Sequence, residues 1–231
     1  MAGIIPLLGH HRRLAVIIGV FAAAFYGAIG SGQTVFFRYA LPLVPLACLP
    51  AAVAVTRAGD WLAPRMRLPR ITAIVIVTAL VAAPSFTNSI QLDVLLARTD
   101  SRVLAAQWLA PQLNAESTLY DSGGDYTRLH FGPLAFHDWH YDETSRSFGD
   151  PEGRTPDWIV IGESPLREYT AAPPSIAALI AQRYELVHEV RGIGRESAGG
   201  IYDRQDAFFL PIAGFSDVAR PGPDIRIYRR R

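Results

Sequence analysis

"FFRYALPLVPLACLPAAVAVT", Phe36 to Thr56, opens on an arginine and a tyrosine and then runs 18 residues from Tyr39 to Thr56 without a charge, although Pro42, Pro45 and Pro50 interrupt it. A soluble core has little use for such a segment, because an interior proline deletes a helix hydrogen bond and strands a carbonyl. A membrane span tolerates it, since neighbouring helices and local rearrangement satisfy the freed groups.

The flanks carry two more uncharged runs, 17 residues from Leu14 to Gly30 and 22 from Ile71 to Leu92. A helix rises about 1.5 Å per residue and the hydrocarbon core is about 30 Å thick, so runs of this length can cross it. The expectation is an α-helical membrane segment with about three transmembrane helices, at 14–30, 39–56 and 71–92. Residues 1–96 form the transmembrane region and 97–231 a small extracytoplasmic α/β domain. Two other readings are weaker. Three buried helices in a soluble protein would be unusual in direct succession with short basic loops between them. A cleaved signal peptide over residues 1–32 would use His10 to Arg13 as its basic region, but Ile4 to Leu8 before it is itself apolar and two further runs follow.

Charge placement sets the direction of threading. Residues 1–96 hold seven arginines against two acids, Asp60 and Asp93, a net of +5, while residues 97–231 hold 15 arginines against 19 acids, a net of −4. Arg12 and Arg13 precede the first run, Arg57, Arg65, Arg67 and Arg70 separate the second from the third, and only Arg38 separates the first from the second. The positive-inside rule then puts the N-terminus and the 57–70 loop in the cytoplasm. The 31–38 loop and the C-terminal domain lie outside, in the periplasm or at the cell surface of a bacterial plasma membrane. Arg38 and Tyr39 sit at the outer interface, where a guanidinium meets lipid headgroups or a phosphate without entering hydrocarbon.

The second half reads as alternating elements. Thr99 and Asp100 offer caps for a helix carrying Val103 to Leu109, ended by Pro111. "STLYDS" and "DWIVIGES" read as strands. Ser175 offers a cap for a helix whose apolar face is Ile176, Leu179, Ile180 and Tyr184. "ELVHEV" and "DIRIYRR" complete the set. Strand, helix and strand in that order predict a βαβ unit, and residues 138–156 read as a loop. The mildly acidic balance gives no reason to expect nucleic acid as a partner.

Few motifs carry chemistry. "HDWHYD" groups His137, Asp138, His140 and Asp142, which reads as a polar loop rather than a metal site, because neither a His-Glu-x-x-His pattern nor a cysteine accompanies it. "GIGRESAGG" from Gly192 lacks the third glycine of a dinucleotide loop, with Ser197 in its place. "GESPL" from Gly162 has Leu166 where a nucleophile elbow needs glycine. The one cysteine, Cys48, excludes an internal disulfide. No cofactor and no metal are expected.

"FFRYALPLVPLACLPAA" resembles a late transmembrane segment of the C-type glycosyltransferases, in particular the bacterial relatives of the dolichyl-phosphate-mannose–protein mannosyltransferases (glycosyltransferase family 39). "LDVLLARTDSRVLAAQWLAPQL" resembles the segment that follows their last helix, and "YDRQDAFFLPIAGFSDVARPGPDIRIYRRR" resembles their C-terminal end. The resemblance implies transfer of a sugar from a polyprenyl-phosphate donor to an acceptor at the outer membrane face. Arg38 and Tyr39 would then be donor phosphate-binding residues, with the lipid bilayer and a polyprenyl-phosphate sugar as partners. Family members place an acidic base in their first outer loop, whereas no acid precedes Asp60 here, and they have more spans than three. The chain therefore resembles only the C-terminal portion of a transferase, working with a missing N-terminal transmembrane part. The alternative is a membrane-anchored extracytoplasmic binding or sensor domain without catalysis.

Overall fold

The computed structural model describes residues 12–32, 37–124, 127–150, 152–166, 170, 172–193, 200–202, 209–215 and 218–231. The chain divides into two compact units, Met1–Ser89 and Ile90–Arg231.

The first unit holds α1 (Arg12–Gly30), α2 (Leu43–Met66) and most of α3 (Arg70–Leu96). All three are long and apolar enough to cross a membrane. They bury almost nothing on one another, for only Ala15, Gly59, Ala63 and Ala73 are buried. Leu14, Ile17, Val20, Phe21, Ile71, Val75, Leu80 and Phe86 face outward. A helix apolar on every side needs an apolar surrounding to be stable. Hydroxyls on these helices are satisfied within their own helix: Thr56 Oγ1 donates to Ala52 O (2.7 Å), Thr78 to Ile74 O (2.8 Å) and Thr87 to Ala83 O (2.8 Å). Such back-bonding lets a helix carry these hydroxyls in apolar surroundings.

The prolines divide into two kinds. Pro42 is the N-cap residue of α2, and Pro45 falls in its first turn, where backbone N–H groups have no helical acceptor in any case. Pro50 and Pro64 lie inside α2 and Pro84 inside α3, each at the expense of one helical bond.

The second helix starts later and ends later than the uncharged run, at 43–66 instead of 39–56. Phe37–Ala40 forms a 3-10 turn ahead of it. Arg57, Asp60 and Arg65 ride on the helix, so the expected 57–70 loop shrinks to a turn at 67–69 with Arg67 in the left-handed region at φ 52°. Absence of charge marks the hydrocarbon-compatible part of a helix, not its ends. The charged turns are held locally: Arg70 Nε and Nη2 reach Asp60 Oδ1 (2.5 Å) and Oδ2 (3.2 Å) across the turn, and Arg65 lies over the Trp61 ring at 3.8 Å.

In the second unit a five-stranded sheet runs in the order β2-β1-β3-β7-β4, built from β1 (Thr118–Asp121), β2 (His137–Asp138), β3 (Trp158–Glu163), β4 (Tyr184–Val190) and β7 (Asp224–Arg230). A separate antiparallel pair, β5 (Ile201–Tyr202) and β6 (Pro211–Ala213), lies between β4 and β7 in sequence. β1 pairs parallel with β2 and with β3, while β7 runs antiparallel between β3 and β4. The expected βαβ unit is thus split: β3 and β4 are parallel but the terminal strand sits between them. Local pattern cannot reveal a partner that lies at the far end of the chain.

β3 is buried from Trp158 through Gly162, so both sheet faces are covered. On one face Trp158, Val160, Ile225 and Ile227 meet α4 (Ser101–Leu109) through Ala105, Ala106 and Leu109. On the other, Ile159 and Ile161 meet Ile176 of α5 (Pro174–Arg183), with Leu179 and Ile180 packed alongside. Tyr120, Tyr141 and Phe148 cluster on that face at ring separations of 5.0 to 6.2 Å. The polar-looking segment 138–156 is therefore anchored by its aromatic residues.

Two caps differ from one another. Asp100 caps α4 by accepting from Arg102 N at 2.8 Å, as its sequence position suggests. Ser175 does not cap α5. Pro174 occupies the first helical position, Pro173 precedes it, and the Ser175 hydroxyl is engaged by Tyr141 Oη at 2.8 Å. Tyr184 opens β4 instead of closing the helix face, and its hydroxyl donates to Pro156 O (2.6 Å). The unit begins inside α3 because Leu92 and Leu95 pack with Phe215 and Val218.

Gly59 lies at a close approach of α2 to α3, since a Cβ there would stand 2.5 Å from Ile74 Cγ1 and 2.9 Å from Ile74 Cα. Gly59→Ala should therefore lower the thermal midpoint of the detergent-solubilised chain by an amount equivalent to about 1–3 kcal/mol. Gly19→Ala, where a Cβ meets nothing within 4 Å, should leave it unchanged or raise it.

Candidate functional site

Arg38 and Tyr39 lie on the exposed 3-10 turn between α1 and α2. The turn is closed by Leu41 N donating to Arg38 O at 3.2 Å, and Val44 N then donates to Leu41 O at 3.1 Å. Pro42, with φ of −62°, directs the chain into α2 immediately afterwards. A basic and an aromatic residue, adjacent in sequence and both exposed, thus lie at one end of a membrane-length helix. Such a pair can hold a phosphate by charge-assisted donation while the ring lies against an apolar stem.

The histidine group does not form a metal centre. His137, Asp138, His140 and Asp142 are all exposed, and among the described residues no three His, Cys, Asp or Glu side chains converge on a common point. Asp138 is held by Arg128. Asp142 accepts from Thr144 N (2.9 Å) and Ser145 Oγ (2.8 Å), bonds that hold its carboxyl below the usual range.

The glycine-rich segment lies mostly outside the described residues, but its first two amides are visible. Gly192 N and Ile193 N both donate to Asp224 Oδ1 at 2.7 Å. An internal carboxylate thus takes the place that a phosphate would need. Ser164 is likewise occupied, accepting from Leu166 N at 3.0 Å and lying 3.3 Å from Thr170 Oγ1.

One group escaped notice in the sequence. Asp121, at the carboxyl end of β1, is buried, and it accepts from Gly123 N (2.9 Å) and Leu129 N (2.8 Å). Burial pushes its carboxyl up to about 6 against the opposing pull of those two amides. The turn it ties is tight, since a Cβ on Gly123 would stand 2.5 Å from Thr127 Oγ1. Strand alternation and the glycines after it were the only available signals, and neither distinguishes a buried aspartate from a solvated one.

The chain matches no family model, no curated protein and no solved structure.

The raised Asp121 carboxyl has a defined thermodynamic sign. Between the ordinary aspartate value near 3.8 and about 6 the folded form binds the proton that the unfolded form has released. Its contribution is therefore fully present at low pH and is lost as pH rises through that window. Asp121→Asn should flatten the dependence of the thermal midpoint on pH between about 4 and 7. An unaltered profile would show that other groups govern it.

Proposed function

We propose that the chain is part of an integral membrane glycosyltransferase that moves a sugar from a polyprenyl-phosphate donor to an acceptor hydroxyl at the outer face of a bacterial plasma membrane. The observation that carries this reading is the Arg38–Tyr39 turn, exposed at the entry to a proline-bearing, membrane-length helix. A lipid-linked phosphate sits at the interface with its charge toward water and its stem in hydrocarbon. It calls for one cation and one amphipathic ring at that depth. The order of the helices and the arginine distribution support a threading in which the N-terminal side is cytoplasmic. A chain that crosses three times returns residues 31–42 and the second unit to the same, outer side. No carboxylate precedes Asp60, and this reading assigns the general base to none of the residues of the first two helices.

A second reading is favoured by one observation. Asp121, Asp142 and Asp224 each accept local backbone or hydroxyl hydrogen bonds in the described part of the second unit, so their carboxylates are engaged by the fold. A membrane-anchored binding or sensor module needs no more than that. Sugar release from a labelled donor separates the two readings, since only a transferase complex consumes it.

In liposomes, Arg38→Ala should weaken binding of a short-chain polyprenyl phosphate about tenfold to a hundredfold, the loss of one charge-assisted hydrogen bond. Equal affinity in the variant would make Arg38 an interfacial anchor only. Orientation is read from Ser145→Cys in a Cys48→Ala background. An impermeant thiol reagent added outside intact cells should label it, and labelling only after lysis would reverse the threading.

A further inference from the structure

At the end of the sheet where β4 begins and β7 finishes, the second unit has an open cleft of about 410 Å³ lined by Arg154, Thr155, Gln182, Arg183, Arg230 and Arg231. Four of the six lining residues are guanidinium-bearing, and they arrive from three separate segments. Arg154 comes from the loop before β3, Arg183 from the last turn of α5, and Arg230 and Arg231 from the exit of β7.

The floor of the cleft is fixed. Arg231 N donates to Arg183 O (3.0 Å) and Arg230 N to Asp157 O (2.9 Å), which ties the two strand ends and the entry loop together. Arg230 Nη1 donates to Thr155 O (2.7 Å) and its Nη2 to Asp157 Oδ1 (2.6 Å). The other oxygen of Asp157 accepts from Thr118 N (3.1 Å) and Thr118 Oγ1 (2.8 Å), so this carboxylate is fully used by the fold. Tyr184, buried beneath, donates to Pro156 O.

The charges do not balance. Asp150 and Glu152 hold Arg154, and Asp157 holds Arg230. Among the described residues no carboxylate pairs with Arg183 or Arg231, which are exposed and joined through their backbones. Two exposed arginines joined through their backbones, with Arg154 and Arg230 lining the same cleft, suit a ligand that carries at least two negative charges on tetrahedral oxygens. The volume falls within the range of small-molecule sites, roughly 300–1,000 Å³.

We propose that this cleft is an anion site for a phosphate monoester or diphosphate group, held by Arg183 and Arg231. It is distinct from the Arg38–Tyr39 turn and does not depend on the sugar-transfer reading. The phosphate can arrive free in solution or as the headgroup of an anionic lipid, and the chemistry of recognition is the same.

The test uses the full chain in nanodiscs with inorganic pyrophosphate as the probe, followed by calorimetry. In zwitterionic discs the wild type should bind, and Arg183→Gln combined with Arg231→Gln should weaken binding at least tenfold. No carboxylate among the described residues pairs with either side chain, so the thermal midpoint should not change, and the two single variants give the same reading should the double one fold poorly. Arg229→Gln removes a nearby charge whose guanidinium lies instead over the Trp158 ring at 5.5 Å, and it should bind as the wild type does. Discs containing anionic phospholipid distinguish the sources. Lower pyrophosphate affinity there, in the wild type and not in the double variant, identifies headgroups as occupants, and unchanged affinity identifies a soluble phosphate. No binding in zwitterionic discs, or equal loss in Arg229→Gln, would overturn the proposal.

Discussion

Apolar surface that the protein does not cover with itself constrains everything in the first unit. α1, α2 and α3 present Ile, Val, Leu and Phe outward, and the few residues they bury in the first unit are the small Ala15, Gly59, Ala63 and Ala73. Each exposed aliphatic side chain would cost roughly 1.5–3 kcal/mol in water relative to burial. Over three helices that sum exceeds the net stability of an ordinary domain. An apolar surrounding such as lipid would remove that cost. Thr56, Thr78 and Thr87 donate to carbonyls of their own helices, and the charged residues of α2 gather toward its end, where Asp60 and Arg70 satisfy one another.

The second unit obeys a different rule, that of a sheet covered on both faces. β3 is its centre. Alternate side chains from Trp158 to Ile161 enter opposite cores, one closed by α4 and the other by α5 together with the aromatic residues of the 138–156 segment. The rim of this sheet is where charge accumulates. Asp157 is bonded to β1 through Thr118 and to β7 through Arg230, which leaves the arginines beyond it oriented and only partly neutralised.

Much of this was legible in the residues, and the exceptions have physical reasons. Uncharged runs located three helices, and they misplaced the ends of α2 because Arg57, Asp60 and Arg65 keep helical geometry at positions where their heads can reach water. Short apolar runs located β3 and β7, yet their antiparallel pairing joins residues more than sixty positions apart, a separation at which periodicity carries no information. Ser175 looked like a cap until Pro173 and Pro174 set the helix start and left the hydroxyl to Tyr141. The Arg38–Tyr39 pair stood out because it was the lone charge between two apolar runs. The arginine cleft did not, since its residues come from three segments whose convergence depends on sheet topology. Asp121 was invisible for a related cause, because burial is a property of the folded neighbourhood.

The place of β7 bears on how the second unit comes to exist. β3 and β4 each expose a full edge toward the other until Asp224–Arg230 slides between them and bonds to both. Those residues are synthesised after β3 and β4, so until they emerge the two strands lack the partner that lies between them. Completion of this sheet therefore requires one seven-residue peptide that follows both of its neighbours in sequence. A nascent chain stalled short of it would present two sticky borders to every neighbour, an obvious target for chaperones and for quality-control proteases.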